Sequence, residues 1–368
     1  MVDLKNIKIV HVNATKSGGG VAEMLQSLIP KLNEQGISTE WFVPDFPADF
    51  FVITKKFHNA LQGVDQNITL DEIARYFEVC DYIVLPEADL YIMHDPQVLP
   101  IKIPKCSKSV WRCHIETTEA NPVLMSILEK YINEYDRAVW TSIDYVPDLI
   151  TVPVIEINPC IDIDNPKNHQ HTGAYASMHL DLPKNVPIIG AVSRYDPHKG
   201  QEDIIKAFKL LNHPTAHLVM LGNSASDDPE GESIFNYLKN KYASDRIHII
   251  KMNDIHAVGS LMALSDVYVQ FSTKEGFGLV VAEAMNQGTF TIGSNVGGIS
   301  KQVIDGETGF LVESEDVEGL AEKMKYGLEN PQICDKIAKK GKQFIQDNFT
   351  LNQLVESHIA LYKKVMGE

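Results

Sequence analysis

Short apolar runs alternate with amphipathic stretches along almost all of the chain. This alternation is typical of βα units and predicts parallel sheets with helices on both faces. A polar, proline-broken stretch between Asp162 and Asn185 interrupts the pattern, which begins again at Pro187. Because 368 residues are too many for one ordinary hydrophobic core, we predict an α/β protein of two doubly wound domains.

The periodicity also predicts individual elements. In the first half, the predicted helices are Val21–Leu32, Leu70–Val79 and Pro122–Tyr135. The predicted strands there are Ile7–Val12, Trp41–Val43, Tyr82–Leu85, Leu90–Met93, Ser109–Cys113, Ala138–Thr141 and Val154–Ile157. In the second half, the predicted strands are Pro187–Val192, His217–Leu221, Ile247–Ile250, Val267–Phe271 and Phe290–Gly293. The predicted helices there are Gln201–Leu211, Ser233–Tyr242, Ala257–Leu264, Leu279–Gln287, Val317–Glu329, Gln332–Gln346 and Leu351–Met366.

The chain is acidic, with a net charge of −16 and a pI of about 5.2. This balance argues against a nucleic-acid or anionic-membrane partner, since both need an excess of basic residues. The five cysteines are scattered and suggest free thiols in a reducing compartment. There is no signal-peptide pattern at the N-terminus and no long apolar run. We therefore expect a cytoplasmic protein without a membrane partner.

A glycine-rich segment, Thr15–Glu23, follows the first predicted strand and contains Gly18, Gly19 and Gly20. Consecutive glycines let backbone N–H groups approach a ligand, and the start of the next helix attracts phosphate or sugar oxygens. The segment is neither a Walker A loop nor a full Gly-x-Gly-x-x-Gly fingerprint. A tight turn between strand and helix is the alternative.

A second segment, Ser193–Gly200, follows the first strand of the second half and carries Arg194 and Lys199. On a loop at the carboxyl edge of a sheet, both cations can reach one diphosphate. The arginine would supply a forked hydrogen bond and the lysine a point charge. Two solvated surface cations are the alternative.

A third segment places Glu275 and Glu283 on either side of a glycine turn that opens a helix. The free N–H groups of such a turn bind phosphate or hexose oxygens. Glu283 lies in an apolar run, so we expect it to be buried and hydrogen-bonded; a ribose diol is a suitable partner. The alternative is one helix cap and one solvated carboxylate. The turn itself consists of Gly276, Phe277, Gly278 and Leu279.

Two polar clusters end strands of the first half. His94 and Asp95 follow one strand, while Arg112 and His114 end the next. The carboxyl ends of parallel strands gather at one edge of a sheet, so we expect these clusters to share a cleft. A lone histidine is more often structural than ligand-binding, so a purely structural role for His94 stays open. The polar segment Lys56–Gly63 is an acceptor-side loop or, alternatively, the end of a polar helix.

The combined motifs resemble the retaining glycosyltransferases of family 4. The cation loop, the Glu-x7-Glu element and the glycine-rich first loop carry this resemblance over nearly the whole chain. It implies two facing Rossmann-like domains, the GT-B fold, with a C-terminal helix crossing back to the first domain. The acceptor-side domain would then span 1–172 together with 351–368, and the nucleotide-sugar domain would span 173–350.

Finer segments resemble a subgroup, the trehalose glycosyltransferring synthases and the related trehalose phosphorylases. These segments are His11–Glu23, Phe57–Gly63, His94–Gln97 and Trp111–Glu116. The subgroup implies reversible transfer of glucose from a nucleoside diphosphate glucose to glucose, giving α,α-trehalose with retention.

The resemblance also implies roles for residues on the donor side. Arg194 and Lys199 would hold the diphosphate and stabilise its charge as it leaves, and Glu283 would bind the ribose. Glu275 and the turn Gly276–Leu279 would hold the donor glucose, and His94 would contact its hydroxyls. The Gly18–Gly20 loop, with Gly19 and Gly20, would approach the donor phosphate and the acceptor.

On the acceptor side, the resemblance implies a binding set made up of Asn59, Gln62, Asp95, Arg112 and His114. No cofactor or metal is expected, and Mg²⁺ is not required, because two cations can neutralise the leaving group. Retaining hydrolases place a nucleophilic carboxylate about 5 Å from an acid, and no candidate for that nucleophile stands out. Same-face attack is therefore favoured, with the leaving phosphate accepting the proton.

Several alternatives stay open. A trehalose phosphorylase would use phosphate and have no ribose for Glu283 to bind. Other possibilities are a family 4 transferase with another sugar acceptor, a sugar-nucleotide 2-epimerase, and a non-catalytic binding protein. Neither the nucleotide base nor the oligomeric state can be read from the residues, although a homodimer is possible.

Overall fold

The computed structural model describes residues 3–17, 19–223 and 229–367. The chain divides into two compact units. The first unit runs to Pro159 and also contains the C-terminal residues from Leu351, and the second unit is Cys160–Thr350. Residues 160–172, which the sequence analysis grouped with the acceptor-side domain, therefore pack in the second unit.

The first unit is a parallel sheet with the strand order β2-β1-β3-β4-β5-β6. Its strands are β1 (Ile9–Val12), β2 (Thr39–Phe42), β3 (Leu90–His94), β4 (Lys108–Cys113), β5 (Arg137–Trp140) and β6 (Val154–Glu156). Its helices are α1 (Gly20–Glu34), α2 (Ala48–Leu61), α3 (Leu70–Asp81), α4 (Pro122–Ile132) and the C-terminal α13 (Leu351–Met366). Helix α13 packs against α1 and β4, so the expectation that the last helix belongs to the first domain is confirmed.

The second unit is also built on a six-stranded parallel sheet, but its strand order differs and is β12-β11-β10-β7-β8-β9. Its strands are β7 (Ile188–Val192), β8 (His217–Gly222), β9 (Ile247–Lys251), β10 (Val267–Gln270), β11 (Thr291–Ser294) and β12 (Phe310–Val312). Its helices are α5 (Ala174–His179), α6 (Gln201–Leu211), α7 (Pro229–Tyr242), α8 (Ile255–Leu264), α9 (Leu279–Gln287), α10 (Ile299–Gln302), α11 (Val317–Glu329) and α12 (Pro331–Asn348).

Both sheets reverse their strand order at their first strand, since β1 has β2 on one side and β3 on the other. In the second sheet, β7 has β8 on one side and β10 on the other. Open α/β sheets bind ligands outside the carboxyl ends of the strands at such a switch point. The topology therefore directs attention to the loops that follow β1, β3, β7 and β10.

One predicted strand in the first half is wrong, and one open choice between a loop and a helix end is decided. The run Tyr82–Leu85 forms no strand, because only Ile83 and Leu85 pack on the core while Tyr82 and Val84 are 77% and 84% exposed. The segment Lys56–Gly63 was interpreted either as a loop or as the end of a polar helix, and the second interpretation is confirmed, since the segment is largely the end of α2. That helix forms because its apolar residues recur at helical spacing and are buried on one face.

In the part of the chain that the structure describes, no helix is both long and apolar enough to cross a membrane.

Candidate functional site

The loop that follows β7 is pressed against the end of β10. Gly200 has a φ of 61°, and a Cβ atom there would lie 2.0 Å from the carbonyl oxygen of Phe271. The carboxylate of Asp196 accepts a hydrogen bond from the His198 backbone N–H at 2.9 Å and shapes the turn. Glycine at 200 therefore lets the loop approach β10 closely. This approach places Lys199 beside the segment that contains Glu275.

Lys199 and Glu275 form an ion pair across the switch point of the second sheet. Nζ lies 2.7 Å from Oε2, and the two side chains are only 16% and 11% exposed. The Ser272 hydroxyl donates to the same carboxylate oxygen at 3.2 Å. Arg194, on the same loop as Lys199, is exposed. The loop after β7 thus carries one cation paired with Glu275 and one solvent-accessible cation, and the binding of a diphosphate by both stays a prediction.

The turn Gly276–Leu279 joins this ion pair to α9. Gly278 has a φ of 81°, which favours glycine, and precedes the first residue of the helix. Gln302 donates to the carbonyl oxygens of Phe277 and, at 3.1 Å, Gly298. This clamp fixes the start of α9, whose first N–H groups have no partner within the helix.

Glu283 is buried in α9, as predicted, with only 2% of its side chain exposed. Its Oε1 lies 2.7 Å from Nζ of Lys167, which the sequence analysis did not single out. Lys167 belongs to a segment that docks on α9, where Asn286 and Gln287 donate to the carbonyl oxygens of Asn168 and His169 at 3.0 and 2.7 Å. The charge of Glu283 is therefore balanced within the second unit.

In the first unit, the glycine-rich segment leads directly into α1, which begins at Gly20. Gly19 precedes the helix in an extended conformation, and a Cβ atom there would meet no atom of the described residues within 4 Å. Packing inside the protein thus gives no reason for glycine at position 19. Gly18, which was predicted to approach the ligand, lies outside the described residues.

A chain of hydrogen-bonded rings follows the strand ends of the first sheet. His11 Nδ1 lies 2.9 Å from His94 Nε2, and His94 Nδ1 lies 2.9 Å from His114 Nε2. At the other end, His11 Nε2 lies 2.7 Å from the hydroxyl of Tyr362 on α13. Tyr362, His11 and His94 are fully buried, whereas His114 is partly exposed. We call these four residues the imidazole chain.

Burial keeps the imidazole chain neutral. Loss of hydration, followed by the charge of Arg112, lowers the pKa of His11 to about 3. Burial also lowers the pKa of His94 and His114 well below the ordinary value, with smaller contributions from their charged neighbours. Both nitrogens of His94 bond to other imidazoles. Because His114 is partly exposed, it is the member of the chain that reaches the surface.

Arg112 is also buried rather than presented at the surface, although it was predicted to bind the acceptor. Its Nη1 donates to Nε2 of His358 on α13 at 2.6 Å, and Nδ1 of His358 bonds the Leu354 carbonyl oxygen at 2.8 Å. Sequence reasoning assigned no role to His11, although it begins a segment that carries the resemblance, and it missed His358 and Tyr362. The one available signal for the last two was their separation by one helical turn, which places them on the same face of α13.

Asp95 forms hydrogen bonds to the backbone of both Arg112 and His114. It adopts a left-handed conformation with a φ of 62°, and its Oδ1 accepts from the His114 N–H at 2.7 Å. Its own N–H donates to the Arg112 carbonyl oxygen at 2.8 Å. Burial raises the pKa of the Asp95 carboxyl to about 7, against the lowering effects of that N–H and of the Arg112 charge. The structure therefore brings together His94, Asp95, Arg112 and His114.

The remaining predicted acceptor residues, Asn59 and Gln62, lie at the C-terminal end of α2. Both are half-buried, and the carbonyl oxygen of Asn59 accepts from the N–H groups of Gln62 and Val64. Their role in binding stays a prediction. Among residues 3–17, 19–223 and 229–367, no group of three or more His, Cys, Asp or Glu side chains is arranged to hold a metal ion.

Residues 11–147 match the family described as trehalose synthase, N-terminal domain, and residues 178–344 match glycosyl transferases group 1. The trehalose synthase of Pyrococcus horikoshii is 36% identical over 99% of this chain and 91% of its own length. That of Rubrobacter xylanophilus is 31% identical over 99% of this chain and 92% of its own length.

Among solved structures, an α,α-trehalose-phosphate synthase (UDP-forming) from Burkholderia xenovorans has a similar fold, with a TM-score of 0.76. The two sequences are 14% identical, and the similarity covers 96% of this chain and 99% of the other. At that identity, the likeness shows the fold alone. Together with the trehalose synthase relatives, these matches show a trehalose-related glycosyltransferase with two GT-B-type α/β units, and the chain belongs to the trehalose synthase family of the group 1 glycosyl transferases.

Proposed function

We propose that this protein transfers glucose from a nucleoside diphosphate glucose to free glucose, forming α,α-trehalose with retention and in a reversible reaction. Membership of the trehalose synthase family supports the product. The observation that carries the donor assignment is the ion pair of Lys199 and Glu275 at the switch point of the second sheet, on the same loop as the exposed Arg194. Anionic ligands bind at such strand ends and helix starts.

The second unit would hold the donor. Arg194 can offer a forked hydrogen bond to the diphosphate, while Lys199 contributes a compact positive charge. Glu275 shares Oε2 with Lys199 and Ser272, so its Oε1 is placed to accept a hydrogen bond from a hydroxyl of glucose. The N–H groups at the start of α9 would complete the sugar site, and Glu283 would accept hydrogen bonds from the ribose while Lys167 balances its charge.

The first unit would hold the acceptor, with Asp95, His114, Asn59, Gln62 and the Gly19–Gly20 segment as the proposed contacts. His94 was expected to contact the donor sugar, but both of its ring nitrogens bond to other imidazoles. We therefore assign the sugar contact to His114 and give His94 a supporting place behind it. Arg112, which is buried against α13, would act by holding the strand end.

The proposed reaction proceeds on one face of the donor glucose. The bond between C1 and the diphosphate oxygen breaks, and the bond between C1 and the acceptor oxygen forms on the same face. The acceptor proton passes to the departing phosphate oxygen, whose charge Arg194 and Lys199 stabilise. Glu275 is engaged by Lys199, which disfavours it as a nucleophile. Isolation of a trapped glucosyl ester on Glu275 would contradict this course.

A panel of ADP-, UDP- and GDP-glucose, each incubated with glucose, tests the proposal. We expect equal amounts of trehalose and free nucleotide from at least one donor, with or without a chelator. Trehalose and the same nucleotide should regenerate the sugar nucleotide. Absence of trehalose from every donor would refute the proposal. Glucose 1-phosphate formed from trehalose and phosphate, without any nucleotide, would establish the phosphorylase instead.

A further inference from the structure

The imidazole chain has only one arrangement of protons that satisfies all of its members. A neutral imidazole donates one hydrogen bond and accepts one. Because His11 and His94 each bond through both nitrogens, every bond in the chain must point in the same direction. Either Tyr362 donates inward at its end and His114 donates at the surface, or all the bonds point the opposite way.

The Tyr362 hydroxyl decides between these two directions. Burial raises the pKa of this phenol, so it keeps its proton. If His11 donated to Tyr362, the phenol hydrogen would need a separate acceptor, and the described residues provide none. A buried donor without an acceptor is disfavoured. If Tyr362 donates to His11, every buried hydrogen in the chain has an acceptor.

We propose that Tyr362 is a positioning residue that fixes the tautomers of His11, His94 and His114, so that His114 presents a donor Nδ1–H at the end of β4. His11 accepts from Tyr362 on Nε2 and donates from Nδ1 to His94. His94 repeats this pattern toward Nε2 of His114. The inference rests on the proposed function, in which His114 contacts a sugar, and it specifies that the sugar oxygen there acts as an acceptor.

Helix α13 stays anchored independently of this hydroxyl. Arg112 donates to Nε2 of His358, and Nδ1 of His358 donates to its own helix. A Phe at position 362 would keep the ring packed in place and remove only the donor. The change from Tyr362 to Phe therefore tests the direction of the chain rather than the docking of the helix.

Nitrogen NMR of the full chain labelled with ¹⁵N-histidine reads the tautomers directly. We expect His11, His94 and His114 to carry their protons on Nδ1. In Tyr362→Phe, His114 should exchange between both tautomers. A wild-type His114 protonated on Nε2 would overturn the inference, and this measurement holds even if the variant does not fold.

Kinetics add a second, independent test. We expect Tyr362→Phe to lower kcat/KM for trehalose formation about tenfold, and to have an effect within about twofold in a His114→Ala background, since coupled residues are non-additive. Tyr135→Phe is the matched control, because it removes another buried hydroxyl of the same unit, which donates to the Leu99 carbonyl oxygen at 2.7 Å. Equal losses in both Phe variants, or additive losses with His114→Ala, would overturn the inference.

The NMR measurement requires no substrate. Absence of trehalose from all donors would therefore refute the proposed function while the tautomers still report on the chain. Conversely, normal trehalose formation with His114 protonated on Nε2 would refute the direction of the chain alone.

Discussion

Both units contain a six-stranded parallel sheet with a switch point at its first strand, but they organise their polar groups in opposite ways. In the second unit, the strand ends carry charged groups, Lys199 paired with Glu275 and an exposed Arg194. In the first unit, the strand ends carry rings that burial keeps neutral, His11 and His94 among them. Ion pairs suit a charged diphosphate, whereas neutral directional hydrogen bonds suit uncharged sugar hydroxyls. The difference supports a donor side and an acceptor side.

Acidification should distinguish the units most strongly. Burial lowers the pKa values of four histidines, His11, His94, His114 and His358. Their imidazoles therefore stay neutral in the folded chain, whereas in the unfolded chain they take up protons below about pH 6.5. Because of these four histidines, the folded state loses stability as the pH falls. Asp95 acts in the opposite sense, because its pKa of about 7 lets the folded chain take up a proton first as the pH falls.

The four histidines outweigh Asp95, so the net effect of acidification is a loss of stability. Each unmatched proton is worth about 1.4 kcal/mol per pH unit, so the first unit should lose on the order of several kcal/mol between pH 6.5 and 5. Hydrogen exchange should show β1, β3 and β4 losing protection before β7 and β10. The second unit contains two histidines whose pKa values are also lowered by burial, His217 and His248, so it should lose protection too, but less than the first unit. Equal loss of protection in both units would contradict the prediction.

Replacing Lys199 tests the role of the charged groups in the second unit. Lys199→Ala should lower kcat for trehalose formation about 10²- to 10³-fold, because one group that stabilises developing negative charge is removed. Lys206→Ala is the matched control, since it removes an exposed lysine of the same unit that pairs with Asp203 at 2.7 Å. A loss of less than about fivefold in Lys199→Ala, or an equal loss in the control, would argue against the assignment.

The charged site was more predictable from sequence than the neutral one. Lys199 and Glu275 each precede a glycine in a loop after a strand, and Arg194 lies two residues beyond β7, so each signal is local. Their pairing follows from the parallel topology, which brings the loops after β7 and β10 together. The Lys167 partner of Glu283 was not predictable in this way, because it lies in an irregular segment whose docking on α9 depends on side-chain contacts.

The imidazole chain shows where sequence reasoning ends. His94 and His114 were singled out as separate polar clusters, but His11 lies inside an apolar strand and Tyr362 lies in the last helix. The neighbouring strands β1, β3 and β4 bring the three imidazoles together, and the packing of α13 on the first unit adds Tyr362. Local pattern also misled at Tyr82–Leu85, where apolar residues pack on the core without joining a strand ladder.

The smallest expected effect concerns two glycines, one in each unit. Gly200→Ala should cost about 2 kcal/mol of stability, because alanine is strained at a φ of 61° and its Cβ would press on the Phe271 carbonyl oxygen. Gly19→Ala should leave the melting temperature unchanged, since its backbone is extended and its Cβ meets no described atom within 4 Å.

Gly19→Ala should nevertheless lower kcat/KM for trehalose formation about tenfold, if the backbone before α1 approaches a substrate oxygen as closely as glycine permits. Thermal melts and steady-state kinetics on both variants separate the two roles. An unchanged kcat/KM in Gly19→Ala would show that the segment is only a turn between β1 and α1. A lower melting temperature with normal activity would place the need for glycine in the fold, and the first unit would then bind sugar through its side chains alone.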